Sequence, residues 1–225
     1  MLRKLISIFR SDNPLTSMGE NFAQMLKIAY EMTIKAGQVL TGAELKPEER
    51  TWIYDQDVQV NKLERVIRKQ VIAHLSIQGS EPNLPYCLLL MSLVKDVERI
   101  GDYAKNVSEI SDVYGGELPD DQLSAELREI KDGVEAAFAV TAEVFESSDT
   151  ERALELTRQG QDLARRCDML VERIAHSDHN ARTATALLLG TRYYKRIGGH
   201  VLNILSGVTM PLHKLDYYDE GAVQG

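Results

Sequence analysis

The sequence predicts an all-α fold of six long antiparallel helices, arranged as two tandem three-helix bundles and preceded by a short amphipathic helix. Three observations predict this fold. Helical periodicity runs through six stretches of roughly 25–33 residues, and short polar breaks separate them. Aromatic residues make up 6% of the chain and Pro occurs 6 times, which is poor material for an all-β fold. One stretch in each half also carries the same motif. Short loops between long helices make neighbouring helices antiparallel.

The breaks determine where the predicted helices begin and end. The clearest are GSEPNLP at residues 79–85 and GGELPDD at residues 115–121, because Gly, Pro and clustered polar residues favour turns. We predict helices near residues 14–41, 47–78, 83–114, 119–147, 150–177 and 180–212.

An internal repeat explains this arrangement. LLMSLVKDVERIGDYAKN at residues 89–106 aligns with ALLLGTRYYKRIGGHVLN at residues 186–203, at a constant offset of 97 positions. Arg-Ile-Gly and a later Asn recur, and each copy falls on the third helix of its half. With only two copies, the chain is expected to form a duplicated bundle rather than an open solenoid. The predicted units are an N-terminal segment at 1–13, repeats at 14–116 and 117–214, and a tail at 215–225.

Charge and cysteine content exclude several classes of protein. The 225 residues carry a net charge of −8, and no long Lys/Arg stripe is visible, which counts against a nucleic-acid binder. The cysteines, Cys87 and Cys167, lie 80 positions apart, which supports neither a disulfide framework nor a cysteine zinc site. A reduced cytoplasmic setting is therefore expected. No apolar run reaches the roughly 18 residues that a membrane-spanning helix needs.

The N-terminal segment has helical amphipathic spacing. Its apolar residues are Leu2, Leu5, Ile6 and Phe9, with Arg and Lys elsewhere on the helical wheel. Two interpretations stay open. The segment packs on the rest of the protein, or it docks on an anionic membrane surface or a membrane partner.

Acidic residues flank the apolar stripes of two predicted helices. The third helix has an apolar stripe of Leu90, Leu93, Val97, Ile100 and Ala104, with Glu98 and Asp102 on its flank. The second has a stripe of Leu63, Val66 and Ile67, flanked by Asp57, Asn61 and Glu64.

These flanks predict a candidate metal site. If they face the same side, Asp57, Asn61, Glu98 and Asp102 converge. Oxygen-rich clusters suit Mg²⁺, Mn²⁺ or iron, and the cation relieves carboxylate repulsion. The alternative is a solvated helix face whose charge is offset by neighbouring Arg65 or Arg99.

The second half has lost most of this pattern. Ala164 and Asp168 stand where the second helix has Asp57 and Asn61, and Lys195 and Gly199 stand where the third has Glu98 and Asp102. Only Asp168 survives as a candidate ligand, and the adjacent Lys opposes cation binding. A second site is therefore expected to be empty or weak.

Catalysis is the competing class of function. Glu172 and His176 have the wrong spacing for a bundle di-iron enzyme, which needs Glu-x-x-His on two helices. A metal-dependent enzyme with a carboxylate site and a metal-free helical adaptor for a permease nevertheless stay open as alternatives to a metal-binding regulator.

VERIGDYAKN at residues 97–106 resembles the signature of PhoU proteins, and DVQVNKLE at residues 57–64 is similar to the matching segment of their second helix. The resemblance covers about residues 14–212. It implies two three-helix bundles and a non-enzymatic, cytoplasmic role in negative regulation of phosphate uptake and phosphate-starvation signalling. The implied partners are a phosphate transporter component and a sensor histidine kinase.

The resemblance also implies metal binding through paired acidic motifs. By position, the ligands are Asp57, Asn61, Glu98 and Asp102, and the expected metal is iron, Mn, Mg or Zn. Ala164, Lys195 and Gly199 depart from the family pattern at the second cluster. The N-terminal segment resembles that of PhoU-like relatives that accompany phosphate permeases, which implies peripheral association with the inner face of the membrane. A homodimer is compatible with an exposed bundle face, although the sequence marks no interface.

Overall fold

The computed structural model describes residues 14–216. Over this range the chain forms six long helices and no strands, which confirms the predicted all-α fold. The helices are α1 (Pro14–Leu40), α2 (Pro47–Leu75), α3 (Leu84–Tyr114), α4 (Gln122–Ser147), α5 (Thr150–Ala175) and α6 (Ala181–Thr209). Short 3₁₀ helices at Glu81–Asn83 and Leu212–Lys214 precede α3 and follow α6.

Local sequence explains where the helices start and stop. The side chains of Asp121, Asp149 and Asn180 each accept a hydrogen bond from a backbone N–H in the first turn of α4, α5 and α6. Pro47 lies in the first turn of α2, where a missing N–H costs nothing. Gly115 ends α3 with φ of +63°, a left-handed conformation that favours Gly.

The helices form two three-helix bundles that share one core. Within each half all three helices pack against one another. Between the halves α3 packs along α6 and α1 contacts α4. The buried hydrophobic side chains form a single cluster that runs through both repeats and extends to Leu215 in the predicted tail. The two halves therefore fold as one packed body rather than as separate domains on a linker.

The repeated Arg-Ile-Gly motif has a packing role. Ile100 and Ile197 are both fully buried. A Cβ on Gly101 would lie 3.7 Å from Val60 on α2, and a Cβ on Gly198 would lie 3.3 Å from Val134 on α4. A side chain at position 101 would therefore make ordinary contacts, whereas at position 198 the close approach of α6 to α4 favours Gly.

One apolar stripe differs from the prediction. All five stripe residues of α3 are fully buried, whereas Val66 on α2 is 41% exposed. The prediction that Val66 lies in the core was wrong, because within residues 14–216 α2 packs mainly on α1 and α3 and so buries a narrow stripe. That stripe consists of Ile53, Val60, Leu63, Ile67 and Val71.

The N-terminal segment with Leu2, Leu5, Ile6 and Phe9 lies outside the described residues, so its predicted helix and docking role stay predictions. Within residues 14–216, no helix is both long and apolar enough to cross a membrane.

Candidate functional site

The acidic flanks of α2 and α3 face each other. Glu98 is partly buried, with a side-chain exposure of 19%. Burial raises the pKa of Glu98, and repulsion from Asp102, Glu64 and Asp57 raises it further, while Arg99 lowers it. The other three carboxylates are thus close enough to oppose the ionisation of Glu98. Asn61 is half-buried and lies one helical turn after Asp57.

Lys105 of α3 lies within this acidic cluster. Its ammonium donates a hydrogen bond of 2.9 Å to Asp57 across the α2–α3 interface and lies 3.6 Å from Asp102. Burial opposes the charge, but the hydrogen bond and charge of Asp57, together with Asp102, raise the pKa of Lys105 overall. The sequence reasoning missed this residue. The sequence spacing could have indicated Lys105, because a residue three positions after Asp102 lies on the same face of α3.

Two arginines complete the charge pairing. Arg99 lies 3.1 Å from Asp102 and 3.5 Å from Glu98, although it is 57% exposed. Arg68 pairs with Glu64 at 2.7 Å within α2. The name acidic cluster is used for the carboxylates Asp57, Glu64, Glu98 and Asp102 together with Lys105, Arg99 and Arg68.

The acidic cluster has oxygen ligands that suit a hard cation, but the Lys105 ammonium already pairs with two of its carboxylates, Asp57 and Asp102. Carboxylate and amide oxygens are the ligands that Mg²⁺, Mn²⁺ and iron accept. As arranged, however, no group of three or more His, Cys, Asp or Glu side chains in the described part of the chain could hold a metal ion. A cation at Asp57 and Asp102 would therefore require the surrounding carboxylates to move closer together as well as the Lys105 ammonium to leave.

The corresponding face of the second repeat is built differently. Lys195 on α6 donates to both carboxylate oxygens of Asp168 on α5, with 2.6 Å to Oδ2. A Cβ on Gly199 would meet no atom within 4 Å, so the space that corresponds to Asp102 is open. Ala164 supplies no donor. Lys195 thus pairs with Asp168, and the expectation that the second site is empty or weak stays a prediction.

A buried carboxylate joins the two repeats beside these faces. Asp96 on α3 is 1% exposed. Its Oδ1 accepts bonds of 2.8 Å from His200 Nδ1 and from Asn203 Nδ2 on α6. Tyr103, next to Asp102, stacks on the ring of His200 at 5.8 Å. These hydrogen bonds join α3, which carries part of the acidic cluster, to α6, which carries Lys195 and Gly199.

Fold and site together define a class: a duplicated three-helix-bundle protein with an acidic motif on the second and third helices of its first repeat. Residues 15–111 match the family model of the PhoU domain, and this match lies within the first repeat and confirms the resemblance seen in the sequence.

Solved structures extend the similarity to the whole fold. PhoU from Pseudomonas aeruginosa superimposes with a TM-score of 0.77 at 21% identity, covering 87% of this chain and 95% of that one. The phosphate transport system regulatory protein PhoU from Streptococcus pneumoniae gives a TM-score of 0.72 at 18% identity, covering 86% and 92%. No curated protein sequence matches the chain significantly.

Proposed function

We propose that this protein is a non-enzymatic regulator of phosphate transport. The observation that carries the proposal is the PhoU domain at residues 15–111, which contains both halves of the acidic cluster. The structural neighbour from Streptococcus pneumoniae is itself described as a phosphate transport system regulatory protein. A regulator of this kind acts by binding, and the acidic cluster offers a binding function without a catalytic group.

The proposed ligand of the acidic cluster is a divalent or trivalent metal ion. Asp57, Asn61, Glu98 and Asp102 would hold it after Lys105 leaves Asp57. The raised pKa of Glu98 supports the proposal, because burial and carboxylate repulsion both oppose its ionisation and a bound cation would relieve the repulsion. When bound, the metal supplies charge neutralisation and a link between α2 and α3, which favours one arrangement of these helices by mass action.

The proposed partners are a phosphate transporter component and a sensor histidine kinase. The proposed setting is the cytoplasm, with peripheral contact to the membrane through Leu2, Leu5, Ile6 and Phe9. Partner docking on the first repeat would then depend on metal through a population shift. Glu98 and Asp102 support this arrangement because both lie on the partly exposed flank of α3.

A phosphate-uptake assay tests the regulatory role. In the source cell, deletion of the gene is expected to change phosphate uptake and the expression of phosphate-starvation genes, and the intact gene restores both. The double variant Glu98→Ala with Asp102→Ala is expected to fold but fail to restore them. A deletion strain that handles phosphate like its parent would contradict the regulatory role. Full restoration by the double variant would contradict the metal site alone and favour a metal-free adaptor.

A further inference from the structure

The second repeat contains a cavity at the position that corresponds to the acidic cluster. Its volume is about 620 Å³, and it lies between α5 and α6. Cavities of this size are typical of small-molecule sites. Its floor is apolar, with Val134, Leu163 and Leu202. Its charged lining comes from Arg165, Arg192, Lys195 and Arg196, with His200 beside them.

The cavity is cationic in an acidic protein. Four Lys and Arg side chains line it, and within the described part of the chain no Asp or Glu does, although the net charge of the protein is −8. Four carboxylates contact residues that line the cavity. Asp96 accepts hydrogen bonds from His200 and Asn203, and Glu135 accepts one from Tyr194. The other two, Asp168 and Asp162, pair with the lining cations. Asp168 pairs with Lys195 and lies 3.9 Å from Arg192, and Asp162 lies 3.1 Å from Arg165. Both carboxylates are more than half exposed. They offset part of the charge from outside the cavity.

Arg196 has a different environment from the other three cations. Its side chain is exposed, and no hydrogen bond or ion pair to it occurs among residues 14–216. Arg192, Lys195, Arg196 and Gly199 follow the spacing i, i+3, i+4 and i+7, so they share one face of α6. The missing side chain of Gly199 leaves the space beside these cations open.

We propose that this cavity, called the cationic cavity below, binds an anion with two or more linked phosphoryl groups. Guanidinium groups form paired hydrogen bonds to phosphoryl oxygens, and three of the four cations are arginines. Linked phosphoryl groups place three or more negative charges within a small volume, which matches the four lining cations, of which Arg196 has no carboxylate partner among residues 14–216, better than a single carboxylate or phosphate does. The ligand is an inorganic polyphosphate or a nucleoside polyphosphate, which share this chemistry.

The comparison of the two repeats also supports the proposal. Glu98 of the first repeat corresponds to Lys195 of the second, and Asp102 corresponds to Gly199. The first exchange reverses the charge, and the second removes a carboxylate and opens space. The cationic cavity lies in the other repeat from the proposed metal site, so neither proposal depends on the other.

Calorimetric titration of the full chain tests the proposal, with EDTA present and salt at about 0.15 M to screen diffuse attraction. The probes are tripolyphosphate, ATP and inorganic phosphate. Gly199→Asp places a carboxylate in the cationic cavity, and Gly199→Asn is its uncharged control of nearly equal size. Arg196→Ala removes a lining cation, and Arg182→Ala removes an exposed arginine from the first turn of the same helix.

Tripolyphosphate is expected to bind more tightly than inorganic phosphate. Its dissociation constant is expected to rise about tenfold or more in Gly199→Asp and Arg196→Ala, since a hydrogen-bonded charge pair is lost or opposed. Gly199→Asn and Arg182→Ala are expected to leave it unchanged. Tighter binding of ATP would identify a nucleoside polyphosphate, and equal or weaker binding an inorganic chain.

Three results would overturn the proposal. They are no binding of tripolyphosphate or ATP, equal binding by Gly199→Asp and Gly199→Asn, or equal weakening by Arg182→Ala and Arg196→Ala. Inorganic phosphate binding as tightly as tripolyphosphate would overturn the requirement for linked groups. Circular dichroism of each variant separates a lost site from a lost fold, and Arg196→Ala keeps the test valid if Gly199→Asp unfolds.

Discussion

At the scale of single residues, equivalent positions in the two repeats have opposite electrostatic roles. Glu98 in the first repeat faces Asp57, Glu64 and Asp102, so its ionisation is opposed. Lys195 at the equivalent position pairs with Asp168. The same helix geometry therefore presents an acidic surface in one repeat and a cationic one in the other. Lys105 moderates the first surface by pairing with Asp57.

Lys105 pairs with Asp57, and at the proposed metal site it would compete with a metal ion for this carboxylate. In Lys105→Met we expect the dissociation constant for Mn²⁺ to fall about tenfold, because a cation no longer displaces a hydrogen-bonded ammonium. Isothermal titration calorimetry measures the change. Lys69→Met, which removes an exposed lysine from α2, is the control. Equal affinities in Lys105→Met and the wild type would show that Lys105 does not compete at the binding site.

The raised pKa of Glu98 predicts a pH dependence of stability. A carboxyl whose pKa is higher in the folded than in the unfolded protein contributes stability below its unfolded pKa of about 4.3 and loses it as pH rises through the folded pKa. Without metal, Glu98→Gln is therefore expected to melt at a higher temperature than wild type at pH 7.5. The gap should close as pH approaches 4.

Thermal melts in EDTA at several pH values measure this effect. Glu20→Gln, at an exposed position of α1, is the matched control and is expected to follow wild type at every pH. A Glu98→Gln variant that is less stable than wild type at pH 7.5 would mean that ionised Glu98 stabilises the folded state.

At the scale of helices, close packing joins the two repeats. Gly37 on α1 faces α4 and α6, where Tyr194 donates a hydrogen bond of 2.7 Å to Glu135. Tyr194 is fully buried, and burial, with the adjacent Glu135, raises its pKa well above the ordinary value. A side chain at position 37 would overlap both partners of this bond.

Gly37→Ala is therefore expected to destabilise the protein by about 1–3 kcal/mol, because the Tyr194–Glu135 pair has to shift in a packed interior. Urea unfolding followed by circular dichroism measures it. Gly199→Ala is the matched control, since a Cβ there meets open space. Because Ala has a higher helix propensity than Gly, the Gly199→Ala control is expected to gain up to about 1 kcal/mol of stability. Equal stabilities of the two variants would contradict the close approach of α1 to the second repeat.

The helices were predictable from the sequence, and the charged contacts were predictable only in part. Periodicity and turn residues predicted all six helices, and the duplication predicted their grouping, because both depend on local patterns. The convergence of Glu98 with Asp57 followed from helix faces. The pairing of Lys105 with Asp57 did not, because a long flexible side chain selects among several partners through tertiary geometry.

The cationic cavity shows the same limit at the level of a surface. The spacing of Arg192, Lys195 and Arg196 is visible in the sequence, but the sequence does not show that the neighbouring α5 leaves space beside them. The exposure of Val66 has a similar cause, since a helix at the edge of a bundle buries fewer positions than its apolar pattern predicts.

At the scale of the whole molecule, one continuous core carries two different faces. The acidic cluster lies on α2 and α3, the cationic cavity lies between α5 and α6, and the Asp96–His200 hydrogen bond joins α3 to α6 between them. Because the core is shared, a ligand that stabilises one face stabilises the folded chain as a whole. The stretch that matches the PhoU family model and the acidic cluster lie in the same repeat, which supports the proposal of metal-dependent regulation there.

Melting temperatures in the presence and absence of Mn²⁺ test this claim most directly. At about 100 times the dissociation constant, Mn²⁺ is expected to stabilise wild type by about 2.7 kcal/mol, which raises the melting temperature by about 5–10 °C for a chain of this size. The double variant Glu98→Gln with Asp102→Asn is expected to melt at the same temperature with and without Mn²⁺. An unchanged melting temperature in wild type, or an equal rise in the double variant, would contradict a metal-binding first repeat.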